Sequence, residues 1–203
     1  MFDRYRSKVE KIMAPIANKI KLEANFLSYF SLLFAFFAGI SAYFSYEKRY
    51  LLLLSSFFVI INGFLDALDG EIARIKKKES KKGDFIDHTI DRFSDAFIFG
   101  GVALSLWINK ILGITAIAII LLVSYLGTQA QAVGYKRLYS GLLGRADRIV
   151  ILFVVMIIQF FIPYKVFGFF ILEWVMIYFI FAGLITIFQR YFEIIKWLNN
   201  FDK

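Results

Sequence analysis

Residues 24–46 read ANFLSYFSLLFAFFAGISAYFSY and residues 111–135 read ILGITAIAIILLVSYLGTQAQAVGY, and neither stretch holds a charged side chain. Apolar runs above about 18 residues read as membrane-spanning helices. The rest of the chain agrees. Of its 203 residues 60% are hydrophobic, with 25 Phe, 11 Tyr and 3 Trp. A soluble domain is about 45–50% apolar, so a soluble enzyme, a disordered tail and a nucleic-acid-binding domain are poor readings. The net charge of +8 then reflects basic cytoplasmic loops rather than a nucleic-acid partner. Without cysteine there is no disulfide framework and no thiol chemistry. Arg4, Arg6, Lys8, Glu10 and Lys11 break up the start of the chain, which does not read as a signal peptide.

Working outward from the two uncharged stretches, spans are expected over about 26–46, 50–74, 84–107, 111–135, 146–163 and 167–190, each near the roughly 20 residues needed to cross. The second is uncharged only over 50–65 and the third only over 96–109. Each therefore carries aspartates into the membrane edge, where carboxylates are expensive and normally face a cavity. Nineteen Lys and Arg fall on the side of both termini and four on the other, which places both termini in the cytoplasm. Residues 1–22 read as an interfacial helix, with Tyr5, Val9, Ile12, Met13, Ile16 and Ile20 on one face and basic residues on the other. Pro15 is expected to kink or split it. Trp107 and Trp197 read as belt residues at the interfaces, and Glu173 as interfacial. The expected fold is all-α: one polytopic membrane domain over 1–203, with the interfacial helix at 1–22 and a six-span core at 26–190.

Half of the 16 acidic residues fall between positions 66 and 95. They include Asp66-x-x-Asp69-Gly70-x-x-Ala73-Arg74, followed after eight residues by Gly83-x-x-x-Asp87-x-x-x-Asp91. The first set follows the i, i+3, i+4, i+7, i+8 spacing of one helix face, and positions 83, 87 and 91 stack on one face of the next helix. Two antiparallel helices joined by the basic loop 75–82 would aim four carboxylates at one point. Four like charges in a low dielectric need protons, cationic partners or metal. All-oxygen donors suit Mg²⁺, Mn²⁺ or Ca²⁺, and carboxylates shared by two ions suit phosphoryl chemistry. Gly70, Ala73 and Gly83 leave room beside them for a flat or bulky ligand. The plainer alternative, aspartates that cap helices and solvate a basic loop, serves for one or two of them but not for four on matching faces. For Asp84 and Asp95 it is the better reading: capping, solvation or pairing with a nearby Lys or Arg. His88 points about 100° from Asp87 and reads as structural rather than as a ligand.

This pattern resembles the signature of the CDP-alcohol phosphotransferase family, Asp-x2-Asp-Gly-x2-Ala-Arg-x8-Gly-x3-Asp-x3-Asp, with every named residue and spacing matched. The resemblance implies transfer of a phosphatidyl-type group from a CDP-lipid to an alcohol, with release of CMP. Asp66, Asp69 and Asp87 match the metal-binding aspartates. Asp91 matches the general base, which also reaches metal. Gly70, Ala73, Arg74 and Gly83 match positions lining the CMP pocket, and Asn25, in Asn25-x-x-Ser28, matches a weaker element of the nucleotide site that proline usually precedes; here Ala24 does. The implied cofactor is Mg²⁺, with Mn²⁺ as the alternative and two ions. The implied partners are the CDP-lipid, the acceptor and the surrounding lipids; the family is often dimeric.

For the acceptor, Arg145 and Arg148 stand three apart at the expected mouth of the cavity, where they could clamp a phosphate. Lys136 and Arg137 serve the orientation rule as readily as a ligand. Ser124, Thr128 and Gln131 form a polar stripe that helix contacts alone would explain. The segments Gly-Thr-Gln-Ala-Gln-Ala-Val-Gly and Gly-Leu-Leu-Gly-Arg-Ala-Asp-Arg resemble the inositol-phosphate-using branch. The bacterial part of that branch carries Lys and Arg where this chain has Gly127 and Gln129, so the archaetidyl-type enzyme fits better than the bacterial one. Glycerol 3-phosphate or another polar alcohol is the alternative acceptor. An intramembrane prenyltransferase would need two separated Asp-rich motifs, and a divalent-cation transporter would need acidic residues along a crossing path; the sequence offers neither.

Overall fold

The apolar runs and their polar punctuation form seven helices in the computed structural model. They are α1 (Arg6–Lys19), α2 (Ala24–Phe44), α3 (Leu51–Ile75), α4 (Lys81–Leu104), α5 (Lys110–Ala132), α6 (Arg145–Phe161) and α7 (Ile171–Phe201). The structure describes residues 6–20, 22–76, 80–136, 138 and 140–201, and no β-strand occurs among them. Several helix starts have a local cause. The Ser80 hydroxyl accepts from the Gly83 N–H at 3.0 Å, Asn109 Oδ1 accepts from Ile111 and Leu112, and Asp147 Oδ2 accepts from the Gly144 N–H. Each satisfies an N–H that has no partner within the helix.

Every expected span coincides with a helix, and α7 continues to Phe201 rather than ending at 190. At 31 residues it is about 46 Å long, well beyond a hydrocarbon core of about 30 Å. Four helices, α2, α3, α5 and α7, are long and apolar enough to cross by themselves. The other two expected spans are not among these. Helix α4 carries Asp84, Asp87, Asp91, Arg92 and Asp95. Helix α6 has only 17 residues and opens with Arg145, Asp147 and Arg148. Pro15 does not split α1, which runs through it. Met13 and Ala17 of α1 are buried against Leu27, Leu68 and Ile72, so tertiary contact supports this helix where proline removes a backbone hydrogen bond. Tyr5 lies outside the described residues.

Helix α2 packs along both α3 and α4, α5 packs along α7, and the contacts of α3 with α6 and of α4 with α5 join the two groups. The α2–α4 crossing is backbone on backbone. A methyl group at Gly39 would overlap the Phe97 carbonyl oxygen, and one at Gly101 would overlap the backbone of Gly39. Small residues permit this approach between membrane helices. Gly101→Leu is therefore expected to destabilise the fold by about 2–3 kcal/mol, seen as a lower melting temperature in detergent. Gly100→Leu is the control, because a side chain there meets open space and should change little.

The core holds Leu52, Val59, Ile98, Phe99, Leu152, Met156 and Phe179. Trp107 belongs to it rather than to a belt. It is buried, donates from Nε1 to Ser45 Oγ at 3.0 Å and packs edge-on against Tyr46 and Phe170. Glu173 is buried too, because its carboxylate accepts from the backbone N–H groups of Asn109 and Phe170.

Candidate active site

The aspartates of α3 and α4 do converge. A cavity of about 550 Å³ is lined by Asp66, Asp69, Gly70, Glu71 and Arg74 from α3, Asp87, His88, Asp91 and Arg92 from α4, Ser124, Gly127 and Thr128 from α5, Arg145 and Arg148 from α6, and Arg190 from α7. Helix periodicity explains the first two groups, since Asp66, Asp69 and Gly70 share one face and Asp87 and Asp91 share another. Asp69 is fixed from a third helix: the Ser28 hydroxyl of α2 donates to its Oδ2 at 2.6 Å. Beneath the site, Asn62 donates to the Ser31 carbonyl of α2 at 3.0 Å.

His88 lines the cavity, contrary to its expected direction. Its ring nitrogens lie 3.4 Å from Asp84 Oδ1 and 3.7 Å from Asp87 Oδ2. Asp87, His88 and Asp91 each present a ligand atom within 4.8 Å of the others. With Asp66 and Asp69 on the same cavity, the donors are almost wholly carboxylate oxygens, a set that fits a hard divalent cation.

The arginines are placed differently from expectation. Arg145 reaches into the acidic cluster, its Nη1 at 2.5 Å from Asp66 Oδ2 and 2.8 Å from Asp91 Oδ1, and its Nε at 3.4 Å from Asp95 Oδ1. Arg148 is not at a mouth. It is 1% exposed, and its Nη2 donates to Asp95 Oδ2 at 2.9 Å and to Ser124 Oγ at 3.2 Å. The reason lies in Asp95, a fully buried carboxylate one turn beyond Asp91, which draws the nearest cation inward. Asp95 thus pairs with arginine, one of the roles expected for it, and Ser124 of the polar stripe serves the same junction.

Asn25, Ala73 and Gly83 are absent from the described residues that line the cavity. Gly83 instead faces Ser80 and Asn25, since a methyl group there would lie 3.3 Å from Ser80 Oγ and 3.9 Å from Asn25 Oδ1. Lys136 is exposed and lies over its neighbour Tyr135; Arg137 lies outside the described residues.

Glu71, Arg92 and Arg190 line the cavity but were not singled out by the sequence reading. Glu71 stands 3.4 Å from Arg74. Arg190 donates to the carbonyls of Ser140 and Val123, and a methyl group at Gly127 would lie 3.1 Å from its Nη1. The bare Gly127 therefore makes room for this guanidinium. Thr186 and Glu193 of α7 also hold residues between α5 and α6: Thr186 accepts from the Leu142 and Leu143 N–H groups, and Glu193 accepts from the Ser140 and Tyr135 hydroxyls. That gives the extra length of α7 a task. An arginine closing the span expected over 167–190 was the signal the sequence offered for Arg190.

An all-helical bundle with membrane-spanning helices and a carboxylate-lined cavity in their polar ends defines a membrane enzyme. Residues 21–190 match the family model described as CDP-alcohol phosphatidyltransferase, and the chain belongs to that family. It is a transferase of phospholipid biosynthesis. Among its relatives, the archaetidylinositol phosphate synthase of Methanothermobacter thermautotrophicus is 30% identical over 152 residues, 75% of each chain. The fold is shared with the phosphatidylinositol phosphate synthase of Mycobacterium tuberculosis. Its crystal structure with CDP-DAG bound superposes with a TM-score of 0.71 at 22% identity, covering 91% of this chain and 94% of that one. Its complex with manganese and citrate gives 0.73 at 21% identity, covering 90% and 88%.

Proposed function

We propose that this enzyme transfers a phosphatidyl-type group, of the archaetidyl kind, from a CDP-lipid to a hydroxyl of an inositol phosphate and releases CMP. The observation that carries the reading is the convergence of four aspartates and an arginine on one cavity. Divalent metal, Mg²⁺ or Mn²⁺ as two ions on Asp66, Asp69, Asp87 and Asp91, would supply charge neutralisation of the diphosphate. Relatives named for inositol phosphate products support the acceptor, and the manganese-bound neighbour supports the choice of cation.

The chain's own groups supply the rest. Asp91 takes the proton of the acceptor hydroxyl as its oxygen attacks the lipid-side phosphorus in line. Asp69 is oriented by Ser28. Gly70, Ala73 and Arg74 of α3 border the nucleotide, with Asn25 and Gly83 shaping the end of the site where α2 meets the start of α4. Arg145 meets the acceptor's phosphate, with Arg190 as a second cation on the same cavity, while Arg148 fixes Asp95 beneath them. In this reading all six long helices cross the membrane, α1 lies at its surface, residues 1–203 form one domain, and both termini are cytoplasmic. The nucleotide and acceptor then enter from water and the lipid tails from the bilayer.

The test is metal-dependent CMP release from CDP-archaeol and CDP-diacylglycerol, each with inositol 1-phosphate, glycerol 3-phosphate, free inositol and serine. Inositol 1-phosphate with CDP-archaeol should be preferred, and both unphosphorylated alcohols should be poor. Preference for serine overturns the acceptor assignment; preference for glycerol 3-phosphate moves the enzyme to the glycerophosphate branch.

A further inference from the structure

Arg145 makes a contact pattern that the proposed reaction alone does not require. One nitrogen, Nη1, serves both Asp66 at 2.5 Å and Asp91 at 2.8 Å, and these are two of the carboxylates read as metal ligands. The other edge of the same guanidinium, at Nε, stands 3.4 Å from Asp95. Asp95 is not part of the cavity wall, and it remains paired with Arg148 at 2.9 Å. Nε and Nη2 of Arg145 are buried and donate no hydrogen bond among the described residues. The guanidinium is therefore anchored to the metal-site carboxylates by one corner and has donors in reserve.

A carboxylate oxygen cannot face a guanidinium and a divalent cation at the same point, because the two positive charges repel in a low dielectric. We propose that Arg145 is a tethered counter-ion. It neutralises Asp66 and Asp91 while the site holds no metal, yields both to divalent metal, and stays in place on Asp95. Held there, its free Nη groups become the phosphate-facing donors of the acceptor site. Asp95 is then a positioning residue that acts through Arg145, and metal loading precedes productive acceptor binding. The inference rests on the proposed function for the identity of the metal ligands and of the acceptor.

The experiment measures Mn²⁺ binding to the full-length protein in detergent, without lipid or acceptor, by the loss of the free-ion paramagnetic resonance signal. Arg145→Gln removes the competing charge, so Mn²⁺ is expected to bind about tenfold tighter or more, the worth of a charge-assisted pair. The melting temperature without metal should fall, because Asp66 and Asp91 lose their counter-ion, and the rise on adding Mn²⁺ should exceed that of the parent. Arg145→Lys keeps the charge without the fork, so its Mn²⁺ affinity should stay near the parent's while the acceptor KM rises. Unchanged or weaker Mn²⁺ binding in a folded Arg145→Gln protein overturns the proposal. If that variant does not fold, Arg145→Lys decides: an acceptor KM equal to the parent's overturns it. A parent that binds Mn²⁺ yet releases no CMP from any CDP-lipid overturns the proposed function instead and leaves the counter-ion comparison standing.

Discussion

Replacing Asp91 with asparagine is expected to lower CMP release by about 10²–10⁴-fold, the usual loss when a well-placed general base is removed. Asp91 is buried, its Oδ1 lies 2.8 Å from Arg145 and its Oδ2 lies 3.5 Å from Arg92. An amide of the same shape fills that position without a new cavity, so the protein should remain folded. It cannot accept the hydroxyl proton. Asp66, Asp69 and Asp87 remain, so the CDP-lipid should still bind. The measurement is turnover at saturating acceptor, with CDP-lipid binding followed separately. Near-normal turnover removes Asp91 from the role of base; loss of both turnover and CDP-lipid binding makes it chiefly a binding group.

The spacing of the aspartates carried most of the site. Positions 66, 69 and 70 on one helix and 87 and 91 on the next follow from 3.6 residues per turn, and the structure brings them to one cavity. Helix geometry does not reveal which residue a third helix lends. Ser28 stood beside Asn25 in a quoted element, but its bond to Asp69 spans 41 residues and depends on how α2 packs along α3. Asp95 was legible in principle: it continues the four-residue stride of 87 and 91. Its burial decides what it does, and burial comes from packing.

The same limit bears on α4 and α6, which length and composition do not pick out as spans. Their charges pair with each other, Arg148 and Arg145 with Asp95 and Asp91, so in the proposed six-span arrangement the cost of those charges is offset by partners on another helix. Hydropathy, summed along one segment, does not register a partner 53 residues away. Arg148, expected at the cavity mouth, lies buried at the cavity wall for that reason, whereas Arg145, one turn earlier, reaches the cavity's carboxylates.

The second large effect concerns that buried pair. Arg148→Ala is expected to destabilise the protein by about 3 kcal/mol or more, the range for leaving one partner of a buried ion pair uncompensated. Arg148 is among the largest fully buried side chains, and its loss leaves Asp95 with the longer contacts to Arg145 at 3.4 Å and Arg92 at 3.8 Å. Those contacts hold the expected loss to the lower end of the range. A double variant, Arg148→Met with Asp95→Leu, removes both charges and keeps the volume, so it should recover much of the stability lost in Arg148→Ala. Thermal unfolding in detergent gives the comparison, and the acceptor KM of whatever folds completes it. Were Arg148 a direct ligand of the acceptor's phosphate, Arg148→Ala would raise that KM at unchanged melting temperature. Were it the buried partner of Asp95, as its contacts indicate, the melting temperature falls first, and the double variant restores it while Arg145, deprived of Asp95, still leaves the acceptor KM high.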